Sequence, residues 1–375
     1  MKKTLIALAA VAATGAFAQS SVQIDGVMDA GYQAINYKGG KVNGIGNNGS
    51  ATSQINFRGT EDLGGGLKAN FRVETDWNTV SNKGNTGSAS SPVTLGNETV
   101  AAASTFGNGE IRVGLAGGFG SIDAGAVNYN TLGTYLTGQP FGTAIGSGFR
   151  TFYVNDAQST SQVRSDNSVK YTSPTFSGFN ASLYYAGKQT KAVDTTATAT
   201  AAAVKQTSFG GLGAYDMQGT TEVGLNYANG PLAASFSSLK QDFKDVGTGT
   251  TDQTVNTLGA NYAFGDAKLF GLYQTNKTNT NSVNNKAFSI SGTYTMGAVV
   301  LMAQAGDVKN DVNGTKSKLV GLGADYNLSK RTAVYFRAES IDDKAGTVQA
   351  ALTPATIKGT DTKFARTAVG IRHAF

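Results

Sequence analysis

The chain has no cysteine, one histidine, one tryptophan and 5 prolines in 375 residues. Without cysteine there is no disulfide framework and no thiolate metal site. The lone His373 leaves an HExxH site without its second imidazole. A Ser–His–Asp triad would have to be built on His373, which strand alternation turns away from water. Residues Gly210 to Gly213 have no helix pattern behind them and read as turn glycines rather than a phosphate cradle. Glu74 and Asp76, two apart on a strand, line one wet face rather than form an acid–base pair. No run of Lys and Arg marks a nucleic-acid surface. The residues thus call for no enzyme, cofactor or metal.

Long apolar runs are also missing. Residues 1–18 read as an export signal: Lys2 and Lys3, an apolar stretch from Leu5 to Phe17, then a small-x-small site at Ala16–Ala18. Past it no segment approaches the 18 or more apolar residues of a spanning helix. Without Lys2 and Lys3 the chain keeps 29 basic and 25 acidic residues, a formal charge of +4. A soluble fold and a membrane barrel both fit this balance, because barrel strands average lipid-facing and water-facing residues.

Glycine is abundant, at 49 residues, and alternation decides between the two. Val22, Ile24, Met28, Ala30 and Tyr32 oppose Gln23, Asp25, Asp29 and Gly31, and Phe179 to Tyr185, Phe288 to Met296 and Val320 to Leu328 repeat the pattern. Seven short turns are legible, at 62–66, 117–120, 173–178, 228–231, 264–266, 296–298 and 328–331. Longer polar loops, such as 79–108, 128–165, 187–219 and 342–361, lie between them. Eight loops and seven turns predict sixteen strands, both ends on the turn side, with Phe209 to Asp216 counted as loop. Gly224-Leu-Asn-Tyr227, Gly259-Ala-Asn-Tyr262, Ser291-Gly-Thr-Tyr294 and Gly323-Ala-Asp-Tyr326 each precede a turn and place a tyrosine in the interfacial girdle. A soluble sandwich would have to bury the polar face; a wet lumen accommodates it. The expected fold is therefore an all-β, transmembrane antiparallel barrel. Residues 268–274 and 298–306 are apolar on both faces, which suits a subunit contact or a shifted register.

The last strand, Phe364 to Phe375, is amphipathic and ends in an aromatic. It resembles the signal read by the outer-membrane barrel assembly machinery, with Phe375 as its key residue. Together with Ile55 to Ala69, Gly117 to Asp123, Asp166 to Tyr171 and Val369 to Phe375, the mature chain, residues 19–375, resembles a general diffusion porin of the β-proteobacterial type. The resemblance implies a homotrimer of sixteen-stranded barrels in outer-membrane lipid and lipopolysaccharide, each with its third loop folded inward as a constriction. It also implies a water-filled channel for small hydrophilic solutes. Such porins usually carry an arginine where this chain has Ala126 after Gly125, so one lumenal charge is expected to be absent. The third loop has independent support: Tyr129, Leu132, Tyr135, Leu136, Phe141, Ile145, Phe149, Phe152 and Tyr153 need a surface to pack on.

Alternation turns Arg58, Lys68, Arg72, Arg112, Lys170 and Arg337 inward, and loop placement puts Arg150, Asp156 and Arg164 at or beside the constriction. A basic excess at a narrow point favours anions. The competing reading is a substrate-specific channel or a non-transport barrel such as an adhesin; single-channel conductance separates the two.

Overall fold

A computed structural model describes residues 20–37, 39–80, 106–149, 163–187, 215–245, 249–346 and 362–375, without side chains for 215–218 and 243–251. The strands are β1 (Ser21–Tyr37), β2 (Gly40–Asn47), β3 (Gln54–Gly64), β4 (Leu67–Asp76), β5 (Ile111–Gly117), β6 (Gly120–Asn128), β7 (Arg164–Thr172), β8 (Phe179–Ala186) and β9 (Tyr215–Asn229). They continue with β10 (Leu232–Asp245), β11 (Gly249–Phe264), β12 (Ala267–Thr278), β13 (Asn284–Met296), β14 (Val299–Asn310), β15 (Lys316–Asn327), β16 (Thr332–Asp342) and β17 (Lys363–Ala374). All pair antiparallel with their neighbours, and β1 closes on β17 from Val27↔Ala374 to Tyr37↔Phe364. Closure leaves no free edge, the condition for a sheet to exist in hydrocarbon.

The seventeen segments occupy sixteen positions. The first half of β1 pairs with β3 and the second half with β2, so β2 and β3 are one barrel strand interrupted at residues 48–53. All seven predicted turns lie between consecutive strands. Gly26 and Phe375 exchange backbone hydrogen bonds at the turn end. The loop side is less uniform than expected: residues 246–248 and 311–315 are brief, and β9 already begins at Tyr215, inside the stretch counted as loop.

The alternation maps onto the wall as read. Tyr262, Tyr294 and Tyr326 are outward and about half exposed, as are Val369 and Ile371 on β17. The first residues of the same repeats, Gly224, Gly259, Ser291 and Gly323, lie on the inward face by the period of two. The inward apolar groups of β12 and β14 are neither a register slip nor in need of a subunit contact. Leu272 packs with Tyr135 and Phe149 of the third loop, and Gln304 beside Met302 donates to the Ser147 carbonyl at 3.0 Å. The signal segment 1–18 lies outside the described residues.

Candidate functional site

The connection from β6 to β7 enters the barrel. Its helix α1 (Asn130–Thr137) has no capping side chain of its own and no acid in its first turn. The cap comes from the wall: Glu222 on β9 accepts from the Asn130 N–H at 2.5 Å, the Thr131 N–H at 2.6 Å and the Thr131 hydroxyl at 2.6 Å. A carboxylate at a helix N-terminus satisfies orphan donors and meets the positive end of the dipole. Thr134 bridges to Ser235 and Asn130 to Asn226. The wall makes room for the helix with glycine: a Cβ on Gly259 would stand 2.1 Å from the Thr134 carbonyl oxygen.

Past the helix, Tyr129, Tyr135, Phe141, Ile145 and Phe149 are buried, as their density required, whereas Leu136 stays exposed. Gly146 sits against Gly321, whose Cβ would fall 2.4 Å from its carbonyl oxygen. The Gly146 N–H donates to Glu339 at 2.8 Å, and Arg366 neutralises Glu339 at 2.7 Å with both side chains almost fully buried. The tip then meets the interrupted strand: the Ile145 N–H reaches the Gly49 carbonyl at 3.4 Å, and Thr143 bonds Thr52 at 2.9 Å. The interruption is wrapped around Asp29 of β1. Its carboxylate accepts from the N–H groups of Gly49, Ser50 and Ala51, at 3.2, 2.8 and 2.8 Å, and from the Tyr335 hydroxyl at 2.6 Å. Successive N–H groups around one anion form a backbone nest. Three wall carboxylates, Glu222, Glu339 and Asp29, thus fix the loop and its receiver.

The described part of this loop follows the wall from β9 round to the β2–β3 joint. The wall it leaves clear carries the arginines. Arg58, Arg72 and Arg112 stand directly opposite one another on β3, β4 and β5. Like charges in register repel, and acids separate them. Asp25 pairs with Arg58. Arg72 lies between Glu74 and Glu110, 2.9 Å from Glu110. Arg112 reaches Asp123 and, at 3.6 Å, Glu110. Arg164 donates to the Asn128 side chain and the Asn108 carbonyl at 3.1 and 3.0 Å, and Lys170 to the Asn128 carbonyl at 3.0 Å. The five cations are thus interleaved with Asp25, Glu74, Glu110 and Asp123, with Asp76 on the same face of β4 as Glu74, a ladder of alternating sign rather than a bare positive ring. Arg58 is the most open of the three, with 49% of its side chain exposed.

Two expectations are corrected here. Ala126 pairs with Ile111, which faces lipid, at a bulge between Gly125 and Val127; an arginine at that register would not point into the lumen, so no lumenal charge is missing. Arg337 is inward but buried, clamped to Asp325 at 2.7 Å and stacked near Phe141 and Tyr335, so it holds the loop and does not meet the permeant. Arg150 and Asp156 lie outside the described residues. Alternation turned Arg58, Arg72, Arg112 and Lys170 inward and loop placement put Arg164 at or beside the constriction; the structure brings these five to one wall, and the sequence reading missed Asp29, Glu222 and Glu339. Among the described residues no group of three or more His, Asp or Glu side chains is placed to hold a metal.

A water-filled barrel narrowed by a pinned loop opposite a charged wall is a channel, and comparison with known proteins agrees. The family model for Gram-negative porins matches residues 4–346. The chain is 34% identical to the outer membrane porin protein 32 of Delftia acidovorans, over the full length of both. It superposes on the anion-selective porin from Comamonas acidovorans with a TM-score of 0.70 and 29% identity, covering 95% of this chain and 100% of that one. The fold is shared more distantly with OmpT of Vibrio cholerae in its trimer form, at a TM-score of 0.62 and 16% identity, covering 95% and 99% of the two chains. The architecture, the constricted lumen and these likenesses together place the chain in the Gram-negative porin family, the diffusion channels of the outer membrane.

Proposed function

We propose that this porin passes small hydrophilic anions in moderate preference to cations, and does no enzymatic chemistry. The observation that carries the reading is the in-register ladder Arg58–Arg72–Arg112 on the wall that the described part of the loop leaves clear, joined by Arg164 and Lys170. The Comamonas acidovorans relative is itself an anion-selective porin. Charges spread over the outer surface are screened within ~8–10 Å at physiological salt, whereas groups lining a narrow path act on every ion that passes. The interleaved acids keep the preference moderate. Replacing Arg58 and Arg164 together with Ser is expected to move the zero-current potential in a salt gradient toward cations with conductance retained. Replacing Lys277 and Lys286, which lie on the outer face, is expected to change it little. Equal shifts from the two pairs would mean that diffuse surface charge governs selectivity.

The working form in this reading is a homotrimer, which the OmpT fold neighbour adopts in its trimer form. The chain is exported with cleavage after Ala18, delivered by the barrel assembly machinery through the strand ending at Phe375, and embedded in outer-membrane lipid and lipopolysaccharide. A mass measurement after mild detergent extraction tests the trimer, and N-terminal sequencing tests the cleavage.

A further inference from the structure

Glu110 stands just before β5, buried, at the point where the charged wall meets the constriction loop. One carboxylate oxygen, Oε2, lies 2.9 Å from Arg72 Nη1 and 3.6 Å from Arg112 Nε. The other, Oε1, accepts from the backbone N–H of Asn128 at 3.0 Å. Its own backbone is fixed against β4: the Glu74 N–H donates to the Glu110 carbonyl and the Gly109 N–H to the Glu74 carbonyl, both at 2.9 Å. The carboxylate is therefore carried on the sheet, between two arginines on one side and the loop on the other.

Asn128 is the last residue of β6, from which the loop departs, and it pairs with Arg164, the first residue of β7, where the loop returns. Three charged side chains converge on this root. Glu110 takes the Asn128 N–H, Lys170 donates to the Asn128 carbonyl at 3.0 Å, and Arg164 donates to the Asn128 side-chain oxygen at 3.1 Å. The Tyr129 N–H donates to the Val163 carbonyl at 2.8 Å and closes the neck. Asp25 and Asp123, by contrast, serve Arg58 and Arg112 on the strands themselves.

We propose that Glu110 is a positioning residue that sets two properties of the pore at once. Its charge holds down the anion preference of Arg72 and Arg112, and its second oxygen fixes the root from which the loop narrows the lumen. The inference rests on the anion-selective reading above and names the residue that limits it. When Glu110 is neutralised, Arg72 keeps Glu74 and Arg112 keeps Asp123, so neither guanidinium is stranded and the wall stays folded. Both arginine side chains are partly exposed, at 21% and 28%, so the charge uncovered faces the permeant. At about 6 Å through water, with screening over ~8 Å, one unit charge changes the local concentration of a monovalent ion roughly 1.7-fold, upward for one sign and downward for the other. The anion-to-cation permeability ratio should therefore change about threefold.

The test compares Glu110→Gln with Glu110→Asp in the full-length mature porin, by zero-current potential in a salt gradient and by open-channel noise in planar bilayers. Glu110→Gln loses the charge but keeps a carbonyl that reaches the Asn128 N–H; an about threefold rise in anion preference with parental noise is expected. Glu110→Asp keeps the charge, but its carboxylate stands about 1.5 Å nearer its own backbone, out of reach of the Asn128 N–H. Parental selectivity with added noise is expected there. Lys170→Met removes the bond to the Asn128 carbonyl together with a cation. It should add noise and shift selectivity toward cations, and this opposite sign keeps the proposal testable if a Glu110 variant folds poorly. Unchanged selectivity in Glu110→Gln overturns the proposal. So do quiet traces from Glu110→Asp, or from Lys170→Met. A parent that prefers cations would refute the anion-selective reading, whereas the difference between parent and Glu110→Gln tests Glu110 by itself.

Discussion

Changing Glu222 to Gln isolates the anchoring of the constriction from the stability of the barrel. The carboxylate accepts three hydrogen bonds from the first turn of α1. Gln has nearly the same shape but a single acceptor oxygen, and its amide NH2 would face the N–H groups it replaces an acceptor for. Charge-assisted hydrogen bonds contribute about 1.5–3 kcal/mol each, and an anion at a partly buried helix N-terminus up to about 2 kcal/mol. Allowing for the one acceptor that survives, the docked position of the helix should lose roughly 2–4 kcal/mol. That is about a 30- to 1,000-fold rise in the undocked population. The strand ladders do not pass through this side chain, so the barrel itself should keep its heat resistance. In planar bilayers the Glu222→Gln channel should show increased open-channel noise and new sub-conductance steps, with normal amounts of folded protein. Quiet traces of parental amplitude would refute the claim that Glu222 holds the loop. A fall in barrel heat resistance without added noise would make it a wall residue only.

Gly259→Val puts a side chain where the α1 backbone lies, so the helix must lift by roughly 1–2 Å to recover ordinary contact at about 3.5 Å; lower conductance with normal assembly is expected, and unchanged conductance would contradict the close approach seen at Thr134. Arg366→Met strands the buried Glu339 carboxylate at a cost of about 3–5 kcal/mol, visible as a lower temperature of heat modification in gels, and Arg366→Met/Glu339→Gln should recover much of it. Deleting Phe375 removes the ring that covers Gly26 and the backbone bonds beside it; less folded, heat-modifiable protein in the outer membrane is expected, and normal levels would argue against an assembly role.

How far each feature was legible depends on how local its cause is. A period of two tells which face a residue takes, so the seven turns, the outward tyrosines of the 32-to-35-residue repeat and the inward sense of Arg58, Arg72, Arg112 and Lys170 follow from neighbours in sequence. The aromatic density of residues 129–149 announced a packed loop for the same reason. Alternation itself sets Ala126 outward, in step with Ile122 and Ala124 and opposite the lipid-facing Ile111; the expectation of a lumenal charge there came from the family resemblance. Alternation says nothing about depth, so Arg337 and Arg58 look alike in sequence, although one lies beneath the loop and the other opens on the lumen.

By itself the sequence determined the barrel, its orientation of turns and termini, and the wall that carries the cations, because each is written in a repeating local pattern. Only the tertiary structure decided which charges are spent within the protein and which meet the permeant. Asp29 finds the Tyr335 hydroxyl 306 residues away, and Glu222 finds Asn130 at a separation of 92. Such partners come together only when a curved sheet closes on itself and a loop is laid across its interior. No spacing along the chain encodes that distance, since it is fixed by the number of strands, their tilt and the small residues on which the loop rests.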